Sequence, residues 1–372
     1  MAVALASGLL FAFTPLVWGQ AIIAEVYALN LLLVALLLWA LLTQQSPLLV
    51  GLLLGLAITT HLTSLVFVPL VVLLLHKREW SALASVSSAT TRFSKLVAGL
   101  LLGLSPFLLI PLFAQGDSPV IWGNPTTQRN WWTLVSGAIY RPNQFAFTHI
   151  DFLAKTEQWV SQLGWAFLLF LLITPLLSRI SSPHPLQSSS PRLPLAITAV
   201  FLILYAFLYN TNDSIVLILP ALFIIYLLFA PSLMLLEGFA LALPLLYLLL
   251  NFSAMDLRND DGIRPYAEDL LATAPPHAIL QTNGDPALFS LWYFHFIEGQ
   301  RSDIAIVDYH LFGFDWYRQQ LPLIYPDLAV PVTDDLTKLQ QDNAEKRPFC
   351  NVDIIIENNK TTPINSCLED NT

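Results

Sequence analysis

Charge is what this chain lacks most. Asp, Glu, Lys and Arg make up only 12% of its 372 residues, and the mean hydropathy is +0.62. A soluble domain carries about 25% charged residues, so a wholly water-exposed fold is excluded for much of the chain. Lys and Arg number 17 against 26 Asp and Glu, which leaves no basic surface for nucleic acid, and no nucleic-acid partner is expected. Cysteine is limited to Cys350 and Cys367. That excludes a multi-bridge scaffold and any site built on paired cysteines. A glycine-rich phosphate loop and a GxSxG elbow are also missing. No cofactor and no metal is expected.

What the chain has in quantity is apolar runs. Runs of roughly 17 to 25 residues are long enough to cross a hydrocarbon core. They lie near residues 2–17, 27–43, 48–75, 96–113, 159–177, 194–209, 214–230 and 232–250. The fold class expected is therefore a polytopic α-helical membrane protein, with spans over 1–251 and a second domain over 252–372. The few charges divide unevenly. Residues 1–250 hold nine Lys and Arg against seven Asp and Glu, and the remainder eight against nineteen. The net charge of −9 thus comes from the tail.

Lys and Arg stay on the cytoplasmic side of a membrane. Lys77, Arg78, Arg92 and Lys95 in 76–95, and Arg179 and Arg192 in 178–192, place both loops there. The connection 114–158 and the tail then lie outside, which makes an integral inner-membrane protein with an extracytoplasmic tail. Run 48–75 is too long for one straight span and too short for two. Two short helices turning at Thr59 to Thr63 keep Glu25 outside; a single tilted span would invert it. The aromatic, turn-rich loop 114–158 suits amphipathic helices lying along the membrane plane.

The tail reads as a small α/β unit. Strands are expected at 278–283, 303–309 and 352–358. A helix opens at "GDPALFSLWYFHFIEG" with Asp285 as N-cap and Pro286 first in the helix, and "FDWYRQQL" forms another. Alternating strands and helices point to a parallel sheet. "NGD" after the first strand also sits where ligands bind in such sheets. In an extracytoplasmic tail Cys350 and Cys367 can pair; two free thiols is the other reading.

Polar groups among the apolar runs are the candidate site residues. Glu25 stands between two such runs, in "LVWGQAIIAEVYALN". A carboxylate there is either part of a polar site facing the outer aqueous side or a solvated residue at a span end. Trp18 and Tyr27 flank it, as substrate contacts or as an interfacial aromatic belt. His61, among Thr59, Thr60 and Thr63, is either a structural histidine or a functional one. Arg129, Tyr140 and Arg141 fit phosphate recognition or a lipid headgroup contact.

Three stretches carry a family resemblance: "FAFTPLVWGQAIIAEVYALN", "GLLLGLAITTHLTSLVFVP" and "GDPALFSLWYFHFIEGQRSDIAIVD". Together they resemble a bacterial membrane protein family of unknown function, itself similar to the transmembrane protein O-mannosyltransferases of the type C glycosyltransferase superfamily. The W-x(6)-E-V-Y and G-D…L-W-Y…R-x-D patterns carry the likeness. The resemblance implies transfer of a sugar from a polyprenyl-phosphate donor to a protein or glycan hydroxyl at the outer membrane face. It sets Glu25 at the outer face where a lipid-linked sugar would meet its acceptor, and His61 near the lipid phosphate. As the only carboxylate of the first hairpin, Glu25 is the candidate base, or a supporting residue if the base lies in the acidic loop that the family carries ahead of this segment. The family normally begins with a span and an acidic outer loop leading into His-Pro-Pro-Gly. This sequence starts at what reads as a later span, so an N-terminal segment is expected to be missing and the chain inactive alone. Two other classes stay open: a non-catalytic membrane scaffold whose tail binds a partner, and a transporter, since polar residues at broken helices also mark substrate paths.

Overall fold

The computed structural model describes residues 2–81, 86–146, 150–163, 191–211, 213–231, 233, 241–258, 262–357 and 360–367, with backbone alone at 77–81, 86–89, 161–162, 355–357, 360–365 and 367. The expected span 159–177 beyond Leu163, residues 178–190 of the loop 178–192 and part of 232–250 lie outside them. The fold is mostly helical, with a small sheet near the C-terminus. It divides into two compact units: 1–109 with 135–257, and 110–134 with 258–372.

The first unit is built of apolar helices: α1 (Ala2–Ala12), α2 (Pro15–Ala21), α3 (Tyr27–Leu42), α4 (Pro47–Thr60), α5 (Phe67–Ser81), α6 (Val86–Leu104), α7 (Phe152–Leu163), α8 (Arg192–Phe207), α9 (Leu219–Phe229) and α10 (Ala242–Met255). Among the described residues one helical stretch, Thr90–Phe113, is long and apolar enough to cross a membrane; a second qualifies if α1 and α2 count as one. That pair is expected as a single run at 2–17, but it bends by 71°. Pro15 is the cause: it cannot donate to residue 11, and it holds Thr14 in an extended conformation. Thr14 is buried there, donating to the Leu10 carbonyl (3.0 Å) and meeting the Tyr226 hydroxyl (2.8 Å).

Run 48–75 also breaks, at His61. α4 opens on Ser46, which accepts from the Leu49 N–H, with Pro47 first in the helix. It stops at Thr60. His61 is extended, and the chain resumes as a 3₁₀ turn, Leu62–Val66, before α5. α3 buries Val34, Leu37, Leu38 and Leu41 on one side and leaves Leu29, Leu32, Leu36 and Trp39 exposed on the other. It is apolar all round, which is not the pattern of a helix facing water.

The closest approach in this unit joins α4 to α6 through two copies of one pentapeptide. "GLLLG" occurs at 51–55 and at 99–103. A Cβ on Gly51 would fall on the Leu96 carbonyl oxygen, and one on Gly99 on the Leu48 carbonyl oxygen. A Cβ on Gly55 would come within 2.8 Å of the Gly103 Cα. The two backbones touch where no other residue fits, the small-xxx-small packing of helices in apolar surroundings. Gly51→Leu and Gly99→Leu should each destabilise the fold by more than about 3 kcal/mol, since backbone cannot yield as a side chain does. Gly8 and Gly19 have nothing within 4 Å of an added Cβ. Gly8→Ala and Gly19→Ala should therefore leave the melting temperature of the detergent-solubilised protein unchanged or raised.

The second unit holds a four-stranded sheet of order β2-β1-β3-β4: β1 (Ile279–Thr282), β2 (Ala305–Asp308), β3 (Phe349–Glu357) and β4 (Lys360–Cys367). β1 runs parallel to both β2 and β3. β4 departs from the all-parallel expectation: it returns antiparallel along β3. Helices α11 (Arg264–Thr273), α12 (Asp285–Trp292), α13 (Asp315–Ile324) and α14 (Leu336–Asn343) accompany the sheet, and helix Gln128–Val135 belongs to the same unit. The N-cap of α12 is Gly284, with Asp285 and Pro286 inside the first turn. This corrects the expected N-cap Asp285, which instead places its charge where the helix dipole favours it.

The free edge of β2 is closed by tyrosines. The Tyr325 hydroxyl accepts from the Ile306 N–H, and that of Tyr317 accepts from the Asp308 N–H (both 3.2 Å). Both rings are buried. An unpaired strand edge is thereby satisfied from within the chain. Asp308 itself is buried, accepting from Thr282 Oγ1 across the β1–β2 register and from the N–H groups of His310 and Leu311.

The R-x-D of the sequence is a clasp. Arg301 donates to both Asp303 carboxylate oxygens and to the carbonyls of Leu271, Ala274 and Pro275, which close the end of α11. Asp303 also accepts from the His277 N–H. The Arg301 guanidinium holds the Asp303 carboxyl well below the usual carboxylate range. A carboxyl depressed on folding contributes stability above its unfolded value, about pH 4, and loses it as pH falls toward the folded value. Hydrogen exchange of peptides spanning 264–308, corrected for intrinsic rates, should show loosening below about pH 4. Asp303→Asn should show weaker protection at neutral pH and a flatter acid profile.

Register sets Cys350 opposite Cys367 across β3 and β4. Cys350 is fully buried and disulfide-bonded. We therefore expect the Cys350–Cys367 bridge in the native protein, with thiol alkylation appearing only after reduction. Full labelling without reductant would exclude it.

Candidate functional site

One end of the first unit gathers polar side chains onto an otherwise apolar bundle. Its foundation is Asn30, buried on α3. The Asn30 amide nitrogen lies 2.8 Å from the Ala57 carbonyl, 2.9 Å from Thr60 Oγ1 and 2.8 Å from Ser64 Oγ. Its two hydrogens are shared among three acceptors on either side of the break between α4 and the 3₁₀ turn. The break therefore has a partner for the backbone it frees, which non-helical chain in apolar surroundings requires.

His61 stands at that break. Its Nδ1 lies 2.7 Å from Thr63 Oγ1 and accepts from the Thr63 N–H (3.4 Å). An N–H can only donate, which favours the neutral tautomer with its proton on Nε2. The His61 ring packs against Tyr27, with centroids 5.3 Å apart. Asp213, Glu25, Tyr209 and Tyr140 all lie within electrostatic reach of the Tyr27 hydroxyl. Glu25 is exposed, in the link between α2 and α3, and Asp213 is exposed in the link between α8 and α9.

Lys155 completes the cluster. The N-terminus of α7 is set by Asp151, which accepts from the N–H groups of Leu153 and Ala154 (both 3.0 Å). Lys155 is 8% exposed and donates to the Tyr209 carbonyl. Burial lowers its affinity for the proton, and the nearby Asp213 carboxylate works in the opposite sense. Tyr209 is hydrogen-bonded to the Asn143 side chain, and the Asn210 N–H donates to the Asn143 carbonyl (2.9 Å). That ties the α8–α9 link to the 3₁₀ turn Ala138–Asn143, which carries Tyr140 and Arg141.

Of the residues expected from sequence, Tyr27, His61, Glu25 and Tyr140 come together. Arg141 is exposed on the same turn. Trp18 packs instead against Phe13 and Phe252, at 5.5 and 6.4 Å. Arg129 is exposed on helix Gln128–Val135 in the other unit. Lys155, Asp213, Tyr209 and Asn30 are additions. Their only sequence signal is polarity next to apolar runs, as in "YNTND". The described residues contain no group of three or more His, Cys, Asp or Glu placed to hold a metal ion. Chemically, the cluster offers carboxylates to take a proton and a buried cation to meet an anion.

Two family models match the chain. Residues 1–84 match the Protein O-mannosyl-transferase TMEM260 N-terminal domain, and residues 263–367 match TMEM260-associated domain 2. A curated relative, Protein O-mannosyl-transferase TMEM260 of Mus musculus, is 32% identical over 81 residues. The match covers 22% of this chain and 12% of that protein. No solved structure matches. The chain is thus similar in its first helices to the N-terminal domain of a protein O-mannosyl-transferase, and in its α/β unit to TMEM260-associated domain 2.

Proposed function

We propose that the first unit crosses the membrane several times, and that its polar end transfers a sugar from a polyprenyl-phosphate donor to a hydroxyl of a protein or glycan. The observation that carries the reading is the convergence of Glu25, Tyr27, His61, Tyr140, Lys155 and Asp213 at one end of an apolar bundle. Glu25, Tyr27 and His61 fall in the segment similar to the O-mannosyl-transferase N-terminal domain. The exposed apolar face of α3 and the glycine-to-glycine packing of α4 on α6 support embedding in lipid.

In the proposed reaction the acceptor oxygen attacks the anomeric carbon. The bond from that carbon to the phosphate oxygen breaks, and its electron pair leaves with the polyprenyl phosphate. Configuration inverts. The acceptor proton passes to a carboxylate, for which Glu25 is the first candidate and Asp213 the second. The departing phosphate gains charge, and Lys155 and Arg141 are the cations proposed to stabilise it. His61 and Tyr27 would orient the sugar. Trp18 would line the approach.

Glu25→Gln preserves size and removes only the charge. It should leave expression and membrane insertion intact and lower transfer from a polyprenyl-phosphate sugar by about 10²–10⁴-fold if Glu25 is the base. If Asp213 is the base, Asp213→Asn takes that loss and Glu25→Gln a smaller one, with weaker donor binding. Wild-type turnover in both variants rejects the catalytic reading.

The tail is proposed to lie on the extracytoplasmic side, supported by the basic residues of 76–95 and 178–192. A topology reporter fused after residue 260 should be active only outside. Activity confined to the cytoplasm would reverse the orientation and remove the oxidising setting expected for the cysteine bridge.

A further inference from the structure

At the end of the bundle that carries the basic loop, α4, α5 and α6 line a partly open groove of about 210 Å³. It starts beside Pro47, the first residue of α4. Its apolar lining is Val72 and Leu75 from α5 with Phe93 and Leu96 from α6; its polar lining is His76 and the cation Arg92. Val72 and Phe93 are 56% and 67% exposed, so the apolar wall opens outward. Among the described residues no carboxylate lines the groove; Glu79 follows Lys77 and Arg78 in the chain. Lys77 and Arg78 follow His76 in the chain, and Lys95 lies one helical turn beyond Arg92.

We infer that this groove holds an anionic phospholipid of the membrane leaflet on the side of the 76–95 loop. The inference rests on the membrane embedding proposed above and is independent of sugar transfer. Two chemistries meet in one concave surface. Arg92 presents a planar fork of donors that matches a phosphate diester. Beside it, Val72, Leu75, Phe93 and Leu96 offer an apolar wall for part of an acyl chain. A free phosphate would use Arg92 and leave that wall wet; a zwitterionic lipid would bring its own cation against Arg92. Basic pockets between helices on the cytoplasmic side select anionic headgroups for the same reason.

The test uses the full chain in detergent, with native mass spectrometry of bound lipid and phosphatidylglycerol and phosphatidylcholine as probes. Wild type should retain one phosphatidylglycerol in preference to phosphatidylcholine. Arg92→Gln should weaken phosphatidylglycerol binding about fivefold. Lys95→Gln, which removes a neighbouring cation outside the lining, should weaken it less. Leu75→Trp, which fills the apolar part and keeps every charge, should also expel the lipid. Melting temperatures matching wild type establish that these variants fold. Millimolar inorganic phosphate should fail to displace the lipid. Equal retention of both lipids, an equal effect of Arg92→Gln and Lys95→Gln, unchanged binding in Leu75→Trp, or displacement by inorganic phosphate would each overturn the inference. Absence of sugar transfer in wild-type protein that retains the lipid would count against the transferase reading alone.

Discussion

The Asn30 amide, closed over the interrupted helix, is the contact on which the polar end of this protein depends. In an apolar bundle each backbone N–H and C=O needs a partner from within the chain. A helix that stops at Thr60 and resumes at Leu62 frees such groups in the middle of an apolar run. Asn30 meets them from the neighbouring helix, reaching the Ala57 carbonyl and hydroxyls on both sides of the break. Remove that amide and the run 47–81 has every reason to straighten into continuous helix. His61 would then turn with the helix surface, away from the extended conformation that sets it against Tyr27. The position of the histidine is thus inherited from an asparagine that touches no candidate substrate.

The paired GLLLG segments work with that contact from the other side of α4. They fix α4 against α6 backbone to backbone, leaving it no freedom to slide, because a shift of one residue would bring Leu against carbonyl oxygen. α4 is therefore held on one flank by steric fit and on the other by hydrogen bonds to α3. Its two ends serve different things: the Thr60 end opens on the polar cluster, and the Pro47 end borders the groove lined by Arg92 and His76. Rigid placement of one short helix sets both.

Much of this was legible in the sequence, and what was not has a physical reason. Hydropathy located most of the helices, because apolar length is a strong one-dimensional signal; the run at 27–43 appears as Tyr27–Leu42. The break at His61 was legible too, since a histidine among threonines in an apolar run is conspicuous. The bend at Pro15 was not foreseen, although proline was its cause. Lys155 and Asp213 were passed over because each reads locally as a solvated residue; only the meeting of α7 with the α8–α9 link makes them neighbours of Tyr27. Trp18 and Arg129 show the converse. Both are conspicuous in sequence, yet Trp18 packs on Phe13 and Phe252, and Arg129 lies in the other unit. In the α/β unit the strands were visible as β-branched runs, whereas β4 carries Pro363 and several polar residues and gives no such signal. The tyrosines that close the edge of β2 could not be seen at all, because their role depends on where a hydroxyl ends and not on residue type.

Helix length adds a constraint of its own. α3 has 16 residues and α4 has 14. At 1.5 Å per residue they reach roughly 24 and 21 Å, less than the roughly 30 Å of a hydrocarbon core. In the membrane embedding proposed for this unit, helices that stop short would leave their polar ends below the headgroup level. Tyr27 opens α3 and Thr60 closes α4, so the cluster would lie within the bilayer's own thickness. A soluble sugar donor would then have to descend to it. A donor anchored in lipid, with its phosphate at the boundary of the acyl region, would already be at that depth. On the proposed embedding, short helices, a broken run and a buried lysine would be three expressions of one arrangement, in which polar chemistry is brought down to where an anchored lipid phosphate could meet it.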